Sequence, residues 1–535
     1  MTVDCESDGA EDMAWDGKNV LNLDALIPRA DLFEQSAPGK LDHNIRITDL
    51  EPGVTYNLLR KPDFQRETAN WNPAQVVGLI ETFCESDIIP AIILWENGTS
   101  LFVVDGAHRL SALIGWVQND FGAGERSVRM FRGKIPEPQR AMHDQTVALL
   151  QQSVGLWVDY KAKNGISSLR TLPVQWIEGR TASQAAKAFI RINQGGTQID
   201  ALETRILQAA RSGLSIAARA IARGGSGHPY WDHFSDDEAK RRSPAIGEEV
   251  FKLLYEPRLE MPLKTVEIPL GGSGYGVGVL RLAFDLVAIA NGLSVADSTR
   301  KAKATDPQLA DDDTGSLTLS YLRRAKRIVQ LVLSNQPHSV GLHPGLYCYT
   351  SNGKFQPAAL LNIVAWVVKL DSTGRLDQFR KVRGDFEDLI LDHPSLVKPA
   401  VNKLGTGTRN RPNALSVLDR VVALLAAGRD KDQTWATLVS EFPRLAADET
   451  GLEEGDGSGR RFSHGAKNAV SLADLRSVAR CPLCRGLLHP NGKVLDHKHK
   501  KADGGSSHSD NGRWVHPICN SNREKDEASA NQAGD

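Results

Sequence analysis

Four residues near the C-terminal end, Cys481, Cys484, His516 and Cys519, stand in a Cys-Pro-Leu-Cys and a His-Pro-Ile-Cys, a C-x-x-C and an H-x-x-C pair. Three thiols and an imidazole are the number and type of donors that a tetrahedral structural Zn2+ takes, so the spacing predicts a zinc-stapled knuckle. A segment this short cannot build a large core, and a metal staple supplies folding energy that its apolar residues cannot. Loss of the metal is then expected to unfold the chain from about residue 475 onward and to leave the rest folded. Lys493, Lys498, Lys500, Lys501, Arg513, Arg523 and Lys525 crowd the same stretch. Such a run is usually a solvated face, but beside a hydrolytic site it would track a phosphate backbone, with affinity mostly independent of base sequence. Chemistry of a second kind is offered by Asp105-Gly106 and Arg109. A strand pattern ends there and a helical one begins, so free N–H groups face an anion, and a guanidinium can grip a phosphate bidentately. Gly195-Gly196 would let the backbone approach the same phosphate. The bland alternative is an ordinary Asp-Gly turn with an Arg salt bridge. The run Gly271 to Gly276 lacks the Lys-Ser/Thr ending of a phosphate loop and is expected to be a flexible loop.

The elements that must hold these residues follow from composition and periodicity. A chain of 535 residues with 41% hydrophobic and 24% charged residues exceeds one core and divides into several soluble domains. The formal net charge of -1 gives no global pull toward nucleic acid, so any such footprint is local. Cys5, Cys84 and Cys348 share no spacing and read as free thiols of a reducing compartment. The acidic start has neither the basic residues nor the apolar run of a secretory signal, and no stretch is apolar enough to span a membrane, so a cytoplasmic protein is expected. Residues 1–40 read as a mobile acidic arm. Beyond them come strand-like runs, IRITDL and AIILWENGTSLFVVDG, the latter hinged at Asn97-Gly98, a hairpin signal. Between them NPAQVVGLIETFCES has Asn72 as cap and Pro73 at the first helical position. From about residue 200 the apolar residues recur mostly at helical spacing, giving a mainly helical domain over 216–445, and 446–470 is charged and Gly-containing like a linker.

Two resemblances sharpen this reading. Asp496-His497, Gly504-Gly505, Asn511, the second zinc half and Asn520 come in an order that resembles the HNH (ββα-metal) nuclease family. The resemblance implies that His497 is the general base, that Asn511 orients its imidazole, and that Asp496 and Asn520 bind a catalytic divalent ion. Oxygen donors suit Mg2+ or Mn2+ better than a second zinc. This chain departs from many members in carrying Asn520 at the third letter and His516 among the zinc ligands. His499 and His508 are nearby but out of register. The segments KPDFQRETANW, VVDGAHRLSAL and FIRINQGGTQIDALE resemble the ParB/sulfiredoxin-like domain of the GmrSD and SspE-type restriction proteins. That likeness covers roughly residues 45–215 and implies an α/β domain that binds and hydrolyses a nucleoside triphosphate and can sense modified DNA. Carried over, Gln65, Arg66, Asp105, Gly106, His108, Arg109, Asn193, Gly195, Gly196 and Thr197 would line that site. The chain reads D-G-A-H-R where the restriction proteins usually read D-G-Q-Q-R, which separates nucleotide binding from hydrolysis. Sulfiredoxin chemistry is excluded, because Ala107 stands where its cysteine nucleophile would be.

The expected architecture is an α+β multidomain chain: arm, ParB-like sensor (41–215), helical domain (216–445), linker (446–470) and HNH module (471–535). The expected function is a restriction-type DNA endonuclease against foreign, phage DNA, gated by the nucleotide-binding domain, with homo-oligomerisation left open. The rival is a non-catalytic, nucleotide-dependent DNA-binding regulator with a zinc knuckle; a delivered nuclease toxin is a third reading.

Overall fold

The computed structural model describes residues 20–30, 44–62, 71–131, 133, 135–165, 169–177, 184, 209–275, 278–293, 310–397, 411–443, 445 and 462–524. Its N-terminal part is built on a six-stranded mixed sheet in the order β1-β3-β5-β4-β6-β2. The strands are β1 (Arg29–Ala30), β2 (Asn44–Arg46), β3 (Leu59–Pro62), β4 (Ile92–Asn97), β5 (Ser100–Asp105) and β6 (Thr171–Ile177). β4 and β5 form the antiparallel hairpin expected at Asn97-Gly98, and Gly98 supplies the positive φ of 60° that the turn demands. The helix Pro73–Glu85 starts as its sequence dictates. The Asn72 side chain accepts from the Gln75 N–H, the Gln75 side chain returns the bond to the Asn72 N–H, and Pro73 fills the first position. Its apolar stripe, Val76, Val77, Ile80 and Phe83, enters a core shared with Ile92, Leu94, Val103, Leu113 and Trp116.

Residues 20–30, expected within a mobile arm, are packed into this domain. Leu21, Leu23, Leu26 and Ile27 are buried, β1 adds to the sheet edge, and Asp24 lies between Arg29 (2.9 Å) and the buried Lys61 (2.6 Å). The acidic composition around the segment masked its four core residues. Residues 1–19 lie outside the described ones.

The second core is helical and begins at the helix Gly213–Ala222, whose Leu214 and Ile216 already belong to it, so the boundary expected at residue 215 falls inside this helix. Around it pack Asp237–Tyr255, Gly278–Ala290, Ser316–Val332, Pro357–Ser372, Leu376–Asp392 and Arg411–Ala426. Trp366 sits at the centre, its ring stacked on Phe386 at 5.4 Å. The glycine run expected to be flexible is packed instead. Gly271 and Gly274 lie against Tyr255 and Gly272 against Phe355, so close that an added Cβ would come within 2.8 Å of a side-chain atom at each. The Tyr275 hydroxyl reaches into the N-terminal domain and donates to Gln139 Oε1 at 2.6 Å.

The same second core extends into the C-terminal segment, through Cys481, Cys484, Leu487, Leu488, Val515, Ile518 and Cys519. The last module therefore packs on the helical domain. Within the stretch expected to be a linker, Ser463 caps a helix, His464–Ala473, whose Asn468 accepts from the Leu263 N–H and donates to the Asn352 carbonyl. Residues 446–461 lie outside the described ones. No helix among the described residues is long and apolar enough to cross a membrane.

Candidate metal centre and active site

Cys481 and Cys484 open the knuckle, whose turn returns so that the Cys481 N–H donates to the Gly486 carbonyl at 2.9 Å. His516 directly follows the strand Gly512–Val515, and Cys519 lies on the helix over residues 517–524. The four ligand atoms lie within 4.8 Å of one another, and all four side chains are buried. His516 Nε2 meets the Leu487 carbonyl at 3.0 Å, which fixes the proton there and leaves Nδ1, 3.2 Å from Cys484 Sγ, as the ligand nitrogen. Hydrogen bonds from Cys484 and Cys519 favour the Cys481 thiolate and push its pKa far down. That first thiolate then opposes the next two, so Cys484 is pushed up to about 12 and Cys519 higher still. A divalent cation among them removes this conflict, so the donor set fits Zn2+.

The knuckle rests on residues about a hundred positions earlier. Arg383 and Glu387, 1% and 0% exposed, pair at 2.7 Å on the helix Leu376–Asp392. Burial works against the Arg383 charge, but the neighbouring Glu387 carboxylate more than offsets it and holds the guanidinium fully protonated. Glu387 also accepts from the Tyr347 hydroxyl and from the Leu487 N–H inside the knuckle, while Arg383 donates to the Val340 and Gly341 carbonyls. The contact is close: a Cβ on Gly384 would lie 2.6 Å from Arg485 Cβ. Around its rim Arg480, Arg485 and Arg476 pair with Asp388, Asp385 and Asp392. Replacing Glu387 by alanine strands a buried guanidinium and should destabilise the helical domain and knuckle by about 3–5 kcal/mol. An unchanged urea midpoint in that variant would refute the role given to the pair.

Two buried histidines border this interface, His343 and His489, with ring centroids 5.2 Å apart. Burial lowers both pKa values, that of His489 to about 4. A folded-state value below the unfolded one of 6.5 means that the stabilisation is complete above pH 6.5 and is lost as pH falls through 4. For His489 it is on the order of 3 kcal/mol. His489→Gln should flatten the loss of stability between pH 6.5 and 4, as read by urea midpoints at each pH; an unchanged slope would refute this.

The expected nuclease residues lie on a two-stranded hairpin, β7 (Val494–His497) and β8 (Gly512–Val515), followed by the helix over 517–524, a ββα arrangement. Asp496 pairs across the hairpin with Arg513 and His497 with Gly512, so the pleat sends Asp496 and His497 to opposite faces. His497 is half-buried and shares its face with Leu495 and Trp514, which are 63% and 49% exposed. Asn511 does not reach the imidazole through a hydrogen bond in this structure. Its side chain accepts from the His499 N–H at 2.7 Å and donates to the carbonyls of His499 (3.0 Å) and Ser506 (2.6 Å), bracing the loop that leaves β7. Gly505 closes that loop against the His499 carbonyl, which a Cβ would meet at 2.0 Å. Asn520 is exposed on the first turn of the final helix, and His508 is exposed.

The carboxylate expected to hold a catalytic ion is engaged by two arginines. The Asp496 carboxylate, 7% exposed, accepts from Arg513 Nε at 2.9 Å and from Arg523 at 3.1 Å. As arranged, the Asp496 carboxylate, held by two guanidiniums, does not fit a divalent ion. Part of the basic run is likewise engaged: Lys498 Nζ donates to the Asp510 carbonyl, and Lys493 Nζ lies 4.8 Å above the Trp514 ring. Lys525 lies outside the described residues.

In the N-terminal domain the strand-turn-helix joint at Asp105 forms as expected. Gly106 takes a φ of 89°, and a Cβ there would lie 3.0 Å from an Arg109 nitrogen. Arg109 pairs with Asp105 at 2.7 Å, and the His108 ring stacks on Trp71 with centroids 5.6 Å apart. That stack joins two of the three sequence segments. Gln65, Arg66, Asn193, Gly195, Gly196 and Thr197 lie outside the described residues. Arg383, Glu387 and Trp71 were not singled out from the sequence. Trp71 alone carried a signal, as the last letter of its segment.

No curated protein and no solved structure matches the chain. Residues 47–209 match the family model of the GmrSD restriction endonuclease, N-terminal domain, a span that holds strands β3 to β6 of the mixed sheet. Over that span the chain is similar to the N-terminal domain of GmrSD restriction endonucleases.

Proposed function

We propose that this protein is a DNA endonuclease of the restriction type, directed at foreign DNA, in which the C-terminal ββα unit of the HNH kind makes the cut and the N-terminal domain licenses it. The observation that carries the reading is the meeting of two independent features in one chain: a restriction-endonuclease domain at residues 47–209, and a hairpin-helix that presents His497 beside a zinc knuckle and a basic surface. Hydrolysis adds the oxygen of a water to phosphorus as the bond to the leaving oxygen breaks. The His497 imidazole receives the water's proton, and arginines and lysines around it hold the phosphate. Restraint by a second domain suits a nuclease whose phosphate contacts do not distinguish host from invader. Purified protein should nick or cut plasmid in Mg2+ or Mn2+, with the rate depending on an added nucleoside triphosphate. Protein inert on modified and unmodified DNA alike would favour a DNA-binding regulator, a reading to which the double arginine pairing of Asp496 lends some support.

In the N-terminal domain the proposed ligand is a nucleoside triphosphate, with Arg109 turning from Asp105 to a phosphate. Arg109→Ala should weaken its binding by roughly ten- to hundredfold in calorimetry, the worth of a charged hydrogen-bonded pair. Absence of binding of ATP, GTP, CTP and UTP to the wild type would remove this part of the reading.

A further inference from the structure

The two faces of the β7–β8 hairpin keep different company. Val494, Asp496 and Val515 turn to the side that packs on the helical domain. On the other side, with His497, Leu495 and Trp514 stand directly across the ladder from each other and are 63% and 49% exposed. The module has a core in which apolar side chains can be placed, since Leu487, Leu488, Val515 and Ile518 are buried in it. An apolar pair left outside that core, next to the residue proposed to activate water, marks a contact with a partner rather than packing. The strand opposite His497 clears the way to it. Gly512 pairs with His497 in an extended backbone, φ −88°, that any residue adopts, so the turn does not require glycine there. A Cβ at that position would press on Leu495 Cδ1 at 3.3 Å. Its absence leaves that flank of the imidazole without a side chain across the ladder.

The rim of this face is cationic. Lys493 Nζ lies 4.8 Å from the centroid of the Trp514 ring and holds it in place, and Lys498 and Lys501, beyond the end of β7, are exposed. A partner that fits is anionic at its edge and flat and apolar within. DNA is such a partner: its phosphates suit the lysines and its base faces suit leucine and indole. In an uninterrupted duplex those faces are covered by their neighbours in the stack, so the contact forms only where a base step opens. We propose that Leu495 and Trp514 are a wedge that enters the base stack beside the phosphate presented to His497. The substrate class is then DNA with an opened base step, at a mismatch or an unpaired base, in preference to uninterrupted duplex. This rests on the nuclease reading above and adds to it a contact that senses the state of the bases, which the phosphate-tracking lysines do not.

The test is DNA affinity, read by fluorescence anisotropy with full-length, zinc-loaded protein and no added divalent ion. All proteins carry His497→Ala so that the DNA stays whole. The probes are a short matched duplex and the same duplex with a central mismatch. The parent should bind the mismatched duplex on the order of tenfold more tightly, because unstacking is cheapest where pairing is already broken. Trp514→Ala should lower affinity for the mismatched duplex on the order of tenfold or more, the worth of a base stacked on an aromatic ring, and bring the two affinities together. Leu495→Ala should do so in part, and Trp514→Phe should retain most of the preference. Both side chains lie outside the core, so zinc content and urea midpoint should stay as in the parent. A parent without preference, or a preference that survives Trp514→Ala, would sink the wedge, while cutting of plasmid by the wild type would leave the nuclease reading standing. Dissociation of a dimer on Trp514→Ala, seen by sedimentation with both affinities unchanged, would assign the pair to a second copy of the chain and also overturn the proposal. A parent that binds neither duplex would remove the wedge and the nuclease reading together.

Discussion

His497→Ala should bind DNA as the wild type does and cut it roughly a hundred- to ten-thousandfold more slowly, the contribution of a positioned general base. The separation of the two effects follows from where the residue sits. His497 is the last residue of β7, and its backbone carbonyl, which alanine retains, is what Arg523 grips. The zinc ligands, the Arg383–Glu387 pair beneath the knuckle and the exposed lysines are untouched by the change. His499 is the internal control. Its N–H and carbonyl are tied to Asn511, but its side chain is exposed beyond the strand, so His499→Ala should keep nearly full activity. A nicking assay in which His499→Ala is dead and His497→Ala is active would move the base by two residues and overturn the register. Asn511→Ala should resemble neither. It removes three bonds that brace one loop, and its loss of activity should come with faster backbone exchange in residues 498–511.

The second large effect is that of the metal. From the spacing alone, replacing Cys481 would be expected to unfold only the C-terminal segment. The packing alters that expectation. Structural zinc in small knuckles contributes about 10–16 kcal/mol, comparable to or larger than the roughly 5–15 kcal/mol by which whole domains are stable. Here that energy is linked to a shared core: Leu487, Leu488, Val515 and Ile518 bury their side chains against the helical domain, and Glu387 has its Leu487 partner on the knuckle. Cys481→Ser should therefore lower zinc content and also loosen the helices Ser316–Val332 and Leu376–Asp392, seen as lost hydrogen-exchange protection there. Full protection of those helices in zinc-free protein would show that the knuckle unfolds alone.

What could be read from the residues was what local spacing encodes. The Asn97-Gly98 hairpin, the Asn72 cap with Pro73, and the gathering of Cys481, Cys484, His516 and Cys519 each depend on neighbours within a few positions or on one metal's demands. What could not be read was long-range partnership. Nothing near Glu387 says that its carboxylate will meet a backbone N–H a hundred residues later, and nothing in GGSGYG says that Tyr255 and Phe355 will fill the space its missing side chains leave. Composition misled twice. Acidic surroundings concealed the four apolar anchors of residues 20–30, and a charged, Gly-containing stretch concealed the helix His464–Ala473. For the candidate site, order along the chain pointed to Asp496, but only the fold shows it held between two arginines.

The seam between the knuckle and the helix Leu376–Asp392 also bears on how this protein can be taken apart. A fragment cut at residue 471 would carry the zinc ligands and His497 but would lay bare Leu487, Leu488, Val515 and Ile518, and would leave behind the acidic row Asp385, Asp388 and Asp392 that receives its arginines. Grafted onto another carrier, it would arrive sticky and misaligned. The smallest unit that keeps this packing is the helical body together with its knuckle, from the helix Gly213–Ala222 onward, and the hairpin that carries His497 is seated by that shared core.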